Sequence, residues 1–314
     1  MLRFGAKGKA EEWLAVSVHP DRIDVAHVDR RAGGRPAVQI CESYAKKGDA
    51  LDTLKSIGRT VRPTRFRCST LLSGSEYQMQ QVEAPSVPRA ERKAALRWKL
   101  KDLLDYPVDA ATIDVIDVPA DRAGSARTSY VYAISARNEH VAARMKLFRD
   151  AKFPLEVIDV PEMAQRNVAR LFEEGGRGLA MLAFDDYGGM LTVSAGGELY
   201  MARHTDITSD QLIDVRADMH AQTLERLVLE LQRTLDHFDR QHNAVTLSRL
   251  LVAPLAADIG LEGHLAQNLD LPVHTLDLGE VLDFTGAPEL SDPARQGYRL
   301  HIIGAALRDD GSGE

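Results

Sequence analysis

The stretch WLAVSVHPDRIDVAHV, from Trp13 to Val28, places an apolar run on each side of a tight HPDR turn. Apolar and polar residues alternate in both runs, and this alternation predicts two paired strands. Many phosphate-binding folds begin with such a hairpin and carry glycine in the turn, because glycine lets backbone N–H groups approach phosphate oxygens. Here the turn contains no glycine, and an acid, Asp24, follows it.

Composition narrows the classes of function. The chain has 314 residues and a net charge of -7, enough length for one large or two medium domains. We do not expect nucleic acid to be the main partner, because proteins that bind the nucleic-acid backbone concentrate Lys and Arg. The two cysteines, Cys41 and Cys68, support no disulfide framework, and the ten histidines show no metal-ligand spacing. No apolar run approaches the roughly 20 residues of a transmembrane span.

Both halves of the chain begin with three predicted strands and continue with helices. The first half has strands at Trp13–Val18, Ile23–Asp29 and Ala37–Ser43 and a helix at Ala50–Val61. After EEGGRG (Glu173–Gly178), which we interpret as a hinge, strands follow at Leu179–Asp185, Met190–Ala195 and Glu198–His204, and a long helix at Ala217–Gln241. Three strands followed by helices, twice, favour the actin-like superfold, whose two lobes close over a nucleotide.

Three stretches carry a narrower resemblance. They are SEYQMQQVEAPSVPRAERKAALRWKLKDLLDYPVDAATIDVIDVP (Ser75–Pro119), LERLVLELQRTLDHFDRQ (Leu224–Gln241) and IIGAALR (Ile302–Arg308). They resemble the family of pilus biogenesis proteins that includes MshI of the MSHA pilus and PilM of the type IV pilus. The likeness runs from about residue 12 to about residue 308.

The resemblance implies an α/β, actin-like (ASKHA) two-lobed fold with an inserted α+β subdomain and a degenerate nucleotide site. The resemblance also divides the chain. It assigns residues 1–61 with 150–175 to the core of lobe 1 and residues 62–149 to the inserted subdomain. It assigns 176–215 with 285–308 to the core of lobe 2, 216–284 to a small subdomain and 309–314 to a tail.

The same resemblance implies a partner and a place in the cell. It indicates a cytoplasmic adaptor, peripheral at the inner membrane, that belongs to the pilus assembly machinery. The partner is the N-terminal cytoplasmic tail of a single-pass inner-membrane pilus assembly protein. The N-terminus MLRFGAKGKAEE is not a signal peptide; it is either a frayed tail or a segment that leans on an anionic membrane through Arg3, Lys7 and Lys9.

The first nucleotide loop of the family does not match this chain. Laying the family's first hairpin on this one puts Ser17 at the aspartate position, His19 at the glycine and Asp24 at the lysine. The Cβ of His19 blocks close approach of a phosphate. Asp24 repels phosphates where a lysine would attract them.

The second loop is better preserved and has two interpretations. DDYGG keeps Asp186, Gly188 and Gly189, which the family uses for a cofactor, with an acid that holds Mg²⁺ through water. Alternatively, the two glycines only supply the positive φ angles of a hairpin turn.

The third loop, which contacts the nucleoside in the family, is altered. Its glycine pair is replaced by Ala253 and Pro254, and proline lacks the N–H donor. Gly304 in the last helix is either a remnant of the nucleotide site or a site of close helix packing. We therefore predict no catalytic residue, no metal site, at most weak affinity for Mg-ATP, and no enzyme activity.

The predicted helix Arg89–Leu104 is the candidate partner site. Leu96, Leu100, Leu103 and Leu104 share one face, and Trp98 lies nearly opposite. Either the helix is buried on two sides, or Trp98 stands at the surface with Arg97 and Lys101 as an anchor for a partner.

Three functions compete. The first is a non-enzymatic adaptor of an MSHA or type IV pilus system, and the second is an actin-like switch or ATPase driven by ATP. The third is the cytoplasmic part of a type II secretion platform protein. The third is less favoured, because such chains continue into a membrane helix whereas this sequence ends in the polar LRDDGSGE.

Overall fold

The computed structural model describes residues 2–3, 12–30, 34–119, 129–185, 187–214 and 217–309. These form two compact units. The first holds the described residues of Met1–His27, Cys41–Ala120 and Gly124–Pro161, and the second those of Val28–Ile40 and Glu162–Glu314. The four-part division remains a prediction. Lys7, Lys9, the loop ADRAGSAR and the last five residues of LRDDGSGE lie outside the described residues.

The first unit contains nine strands and three α-helices among its described residues. In chain order they are β1 (Leu2–Arg3), β2 (Trp13–Val18), β3 (Arg22–Asp29), β4 (Ala37–Ala45), α1 (Ala50–Val61), β5 (Arg67–Leu71), β6 (Tyr77–Glu83), α2 (Arg92–Leu100), β7 (Ala111–Asp117), β8 (Tyr130–Arg137), α3 (Asn138–Asp150) and β9 (Leu155–Asp159). The ends of β3 and β4 nearest their hairpin, within Val28–Ile40, belong to the second unit.

A six-stranded sheet of order β1-β9-β5-β2-β3-β4 forms the main core of this unit. Strand β2 pairs antiparallel with β3 and parallel with β5. Five consecutive residues of β2, Trp13 to Ser17, are buried, as expected of a strand covered on both faces. Helix α1 has the predicted bounds because Asp49 caps its first turn and Arg62 ends it in the left-handed conformation.

Residues 77–137 carry a sheet and a core of their own. Strand β8 lies between β6 and β7, and all pairs are antiparallel. A small apolar cluster fills one side of this sheet: Leu100, Tyr106, Ala111, Ile113 and Ala133. The predicted helix Arg89–Leu104 is shorter than expected. It opens with a 3-10 turn, its α-helical part α2 ends at Leu100, and the N–H groups of Leu103 and Leu104 both donate to the Leu100 carbonyl.

The second unit is built on a five-stranded sheet of order β12-β11-β10-β13-β14. Its elements are α4 (Pro161–Phe172), β10 (Gly178–Phe184), β11 (Gly189–Ala195), β12 (Glu198–Thr205), α5 (Ser209–Ile213), α6 (Ala217–Gln241), β13 (Leu247–Val252), α7 (Leu261–Asn268), β14 (Val273–Thr275) and α8 (Pro293–Ala306). The helical spacing in α6 predicts an apolar stripe of Leu224, Leu227, Val228, Leu231, Leu235 and Phe238. This stripe is confirmed, since five of the six residues are buried and Leu235 is partly buried.

Helix α5 was not predicted, although its signal is present: Thr208 and Gln211 form a capping box. None of the described helices combines the length and the apolar composition that crossing a bilayer requires.

Gly304 lets two helices of the second unit meet backbone to backbone. A Cβ at this position would lie 2.1 Å from the Ala164 carbonyl oxygen, so α8 approaches α4 more closely than any side chain permits. Asn167 on α4 donates a hydrogen bond of 2.8 Å to the Gly304 carbonyl. These contacts support the packing interpretation of Gly304.

We expect Gly304→Ala to destabilise the protein by about 2–3 kcal/mol, because the added methyl group must push two helix backbones apart. Chemical denaturation measures the change in the free energy of unfolding. Gly263→Ala on α7 is the matched control, since nothing lies within 4 Å of the added Cβ. The control should gain about 0.5–1 kcal/mol from lower chain entropy. Equal effects of the two substitutions would contradict this account.

Candidate functional site

In the turn of the first hairpin, backbone groups bond to other residues of the same unit. The N–H of His19 donates to the Arg22 carbonyl at 2.9 Å, and the next residue, Pro20, has no N–H. The turn carbonyls are also bonded: Lys46 donates from its Nζ to His19 at 3.1 Å and from its backbone N–H to Asp21 at 2.8 Å. The first two residues of the HPDR turn thus offer no unused N–H to a phosphate.

Asp24 lies inside the hairpin and is compensated there. Its side chain is only 3% exposed. Oδ1 accepts from the Ser43 hydroxyl at 2.5 Å, and Oδ2 lies 3.3 Å from Arg22 Nε and 3.1 Å from His19 Nε2. Our expectation treated Asp24 as a bare negative charge that repels phosphates. The structure corrects this: the carboxylate joins β3, β4 and the turn, and its charge faces Arg22.

The second hairpin is closed by a carboxylate. Oδ1 of Asp185 accepts from the N–H groups of Tyr187 at 2.8 Å and Gly188 at 3.1 Å. The N–H of Asp185 in turn donates to the Gly188 carbonyl at 2.9 Å. Backbone N–H groups in a turn are the donors that commonly bind phosphate, and those of Tyr187 and Gly188 are already bonded. Asp186, the predicted cofactor residue, lies outside the described residues.

Both glycines of this hairpin have a structural reason. A Cβ on Gly188, whose φ is +149°, would lie 2.2 Å from the Thr205 carbonyl oxygen. A Cβ on Gly189 would lie 2.5 Å from the Phe184 ring. Close packing against β12 and β10 accounts for both residues. The turn interpretation holds for Gly188, but Gly189 has no positive φ and begins the strand β11. A role of Gly188, Gly189 and Gly304 toward a nucleotide stays a prediction.

A buried acid beside this hairpin was missed from the sequence. Glu162, in the first turn of α4, is fully buried, and His204 Nε2 on β12 lies 2.9 Å from its Oε1. The hydrogen bond to Glu162 raises the pKa of His204, and the charges of Glu162 and Asp185 act in the same direction. The two residues are 42 positions apart, and no local pattern announces the pair.

The loop after β13 borders a concave cavity of about 550 Å³ in the second unit. Its walls are residues 252–262, Thr275 and the start of α8. Among the described residues, the lining includes three acids, Asp258, Glu262 and Asp292, and no Lys or Arg. Each acid accepts a backbone N–H, and the bonds from Thr275 lower the pKa of Glu262. These lining residues offer apolar contacts but no cation for a phosphate.

The loop after β13 packs against a glycine of α8 that the sequence analysis did not identify. A Cβ on Gly297 of α8 would lie 1.9 Å from the Pro254 carbonyl oxygen. Ala253, which precedes Pro254 in the chain, is buried. The loop that lacks the family's glycine pair is therefore packed by its own backbone onto α8.

The candidate partner surface lies in the first unit. Trp98 is 79% exposed, so the interpretation of a helix buried on two sides is wrong for this residue. Leu96 and Leu100 are fully buried, whereas Leu103 is 49% exposed because α2 has ended.

The two basic residues beside Trp98 differ in what their side chains contact. Arg97 donates to the carbonyls of Val108 at 3.1 Å and Ala111 at 3.2 Å, which ties α2 to β7. Lys101 is exposed. Of the predicted set, Trp98 and Lys101 are thus the members with an exposed side chain, and Arg97 has a structural role. Binding of a partner by these residues stays a prediction.

The pair His204–Glu162 gives a testable pH dependence. Because the pKa of His204 is raised in the folded state, its stabilisation is complete below about pH 6.5, the ordinary pKa of histidine, and is lost as the pH rises through the raised pKa. We therefore expect the stability difference between the native chain and His204→Gln to shrink as the pH rises through this window. Denaturation of both proteins at several pH values measures it, and a difference that does not vary with pH would contradict the assignment.

Known structures show which fold these elements make. No protein-family model and no curated protein sequence matches the chain. The structure is similar to that of a PilM-PilN type IV pilus biogenesis complex, with a TM-score of 0.67 and 19% identity over 95% of this chain and 98% of that one. It is similar to the cytoplasmic domain of EpsL, an inner-membrane component of the type II secretion system of Vibrio cholerae (TM-score 0.51, 14% identity, 95% and 96% covered). A Bacteroides thetaiotaomicron protein with the actin-like ATPase fold and unknown function also matches (TM-score 0.51, 7% identity, 90% and 96% covered). The chain therefore has the actin-like ATPase fold.

Proposed function

We propose that this chain is a cytoplasmic scaffold of a pilus biogenesis machine, of the MSHA or type IV class, and that it works without hydrolysing ATP. It acts at the inner membrane, where it binds the short N-terminal cytoplasmic tail of a single-pass pilus assembly protein. The similarity to the PilM-PilN complex supports this proposal through the fold, and the resemblance of Ser75–Pro119 supports it through the sequence.

One observation carries the non-enzymatic part of the proposal. The N–H groups of Tyr187 and Gly188 are bonded to the Asp185 carboxylate. A phosphate that binds these two N–H groups must displace an acceptor that belongs to the same loop, and it meets the negative charge of that acceptor. The HPDR turn, taken by itself, also lacks free donors at its first two residues, since the N–H of His19 is bonded and Pro20 has none.

A second candidate is an ATP-binding switch of the same fold. Glu162, Asp185 and His204 place two acids and a titratable base near one hairpin, and such groups are the usual means of acid–base chemistry. The two candidates differ in their affinity for Mg-ATP. A third candidate is the cytoplasmic part of a type II secretion platform. The similarity to the EpsL domain supports it, but its TM-score of 0.51 is below the 0.67 of the PilM-PilN complex.

The docking surface that we propose is centred on Trp98. An exposed tryptophan beside an exposed lysine suits a short peptide, because aromatic residues contribute most of the binding energy in many interfaces. Lys101 and Leu103 are the exposed neighbours that extend the surface along the end of α2.

We expect Trp98→Ala to weaken binding of the partner tail by about tenfold or more, as is usual for a central aromatic anchor, without a change in the thermal unfolding midpoint. Synthetic peptides for the cytoplasmic tails of inner-membrane proteins encoded beside this chain serve as ligands, and fluorescence anisotropy measures the affinity.

Tyr298→Ala is the matched control for this experiment. Tyr298 on α8 is 56% exposed, so its replacement also removes an exposed aromatic side chain but lies in the other unit. If a tail binds and both variants bind it as the native chain does, Trp98 is not the anchor. If no tail binds at all, the adaptor proposal itself fails.

A further inference from the structure

Strand β6 presents an open edge. In its pair with β8, the even-numbered residues bond to β8, as the bond from the Ala84 N–H to the Ser129 carbonyl in the same register shows. The backbone groups of Met79 and Gln81 therefore point away from the sheet. Within the described part of the chain, no residue donates to these carbonyls or accepts from these N–H groups. An unpaired edge of this kind is a template for another strand.

The opposite edge of the same sheet is covered. The N–H of Val115 on β7 donates to the Asp114 side chain at 2.8 Å, and the carbonyl of Ala111 accepts from Arg97. Arg92 and Arg89 both reach Asp117 at the end of that strand. Charged side chains thus block β7 along its length, as natural sheets commonly do at an edge. Among the described residues, β6 carries one charge, Glu83, and one charged side chain on its outward carbonyls, Lys99, at the Glu83 end.

We propose that the β6 edge pairs with the β6 edge of a second copy of this chain, antiparallel and about a two-fold axis. The outward groups of Met79 in one copy then meet those of Gln81 in the other, and Gln80 lies opposite its own symmetry mate. This register forms backbone hydrogen bonds in both directions and joins two three-stranded sheets into one of six strands.

Charge at the two ends of the edge favours a second copy as the occupant. At one end, the Lys99 ammonium lies 3.0 Å from the Glu83 carbonyl oxygen. At the other end, one Asp105 carboxylate oxygen lies 3.2 Å from Gln78 Nε2, and the other lies 3.5 Å from Arg137 Nη2. Antiparallel pairing brings each end beside the opposite end of the other copy. Lys99 of each copy therefore lies beside the carboxylate of Asp105 in its mate, twice in the interface.

Sedimentation velocity of the full chain over a wide concentration range tests this interface. We expect the native protein to dimerise in a concentration-dependent manner. Lys99→Glu and Asp105→Lys should each weaken self-association by about tenfold, because the two-fold axis puts two like-charge contacts in each homodimer. An equimolar mixture of the two variants should recover the native affinity, since both charge pairs are opposite again in the mixed dimer.

A backbone variant provides an independent check. Gln81→Pro removes an N–H that points away from β8, so the fold should persist, as circular dichroism shows, while the dimer is lost. Gln81→Ala keeps the N–H and should dimerise as the native chain does. A native chain that is monomeric at all concentrations, or a dimer that persists in Lys99→Glu and Gln81→Pro, would overturn the proposal.

Discussion

The carboxylate of Asp185 accepts the N–H groups of Tyr187 and Gly188, and this use of backbone donors is the constraint from which the functional account follows. A backbone N–H serves one strong acceptor at a time. An acceptor within the same loop has lost little freedom by binding, whereas a nucleotide must be ordered from solution. The described N–H groups of this turn are therefore bonded without a ligand. In the first hairpin the N–H of His19 is likewise bonded, to the Arg22 carbonyl, and Pro20 has no N–H.

Close backbone packing in the second unit has a related consequence. Gly304 brings α8 against Ala164 of α4, and Gly297 brings α8 against Pro254. Both glycines allow contacts between main chains that a single methyl group would prevent. In each place the absence of a side chain is explained by the protein's own structure, so the glycine needs no ligand to account for it. The actin-like fold of this chain is therefore consistent with a scaffold.

The sequence predicted the elements whose signals are local. Trp13–Val18, Ala50–Val61 and Ala217–Gln241 have the predicted bounds, because strand alternation, a capping Asp49 and an apolar stripe are each contained in the element itself. The end of α2 at Leu100 was missed, because the spacing of Leu103 and Leu104 continues the helical pattern past the turn that closes it.

The sites were harder to predict, because their contacts are distant in sequence. Asp24 reads as an isolated charge until β4 brings Ser43 to it across 19 residues. The pair Glu162–His204 depends on how α4 packs against β12. The open edge of β6 is a property of strand order, and no residue pattern distinguishes an edge strand from a central one here.

Isothermal titration calorimetry of the purified chain with Mg-ATP tests the central claim most directly. If the hairpin donors are occupied as the structure shows, the titration should give no heat of binding beyond dilution at micromolar concentrations of nucleotide. A saturable isotherm with one site and a micromolar Kd would contradict the account, because the nucleotide would then have displaced the Asp185 carboxylate or found donors elsewhere in the chain.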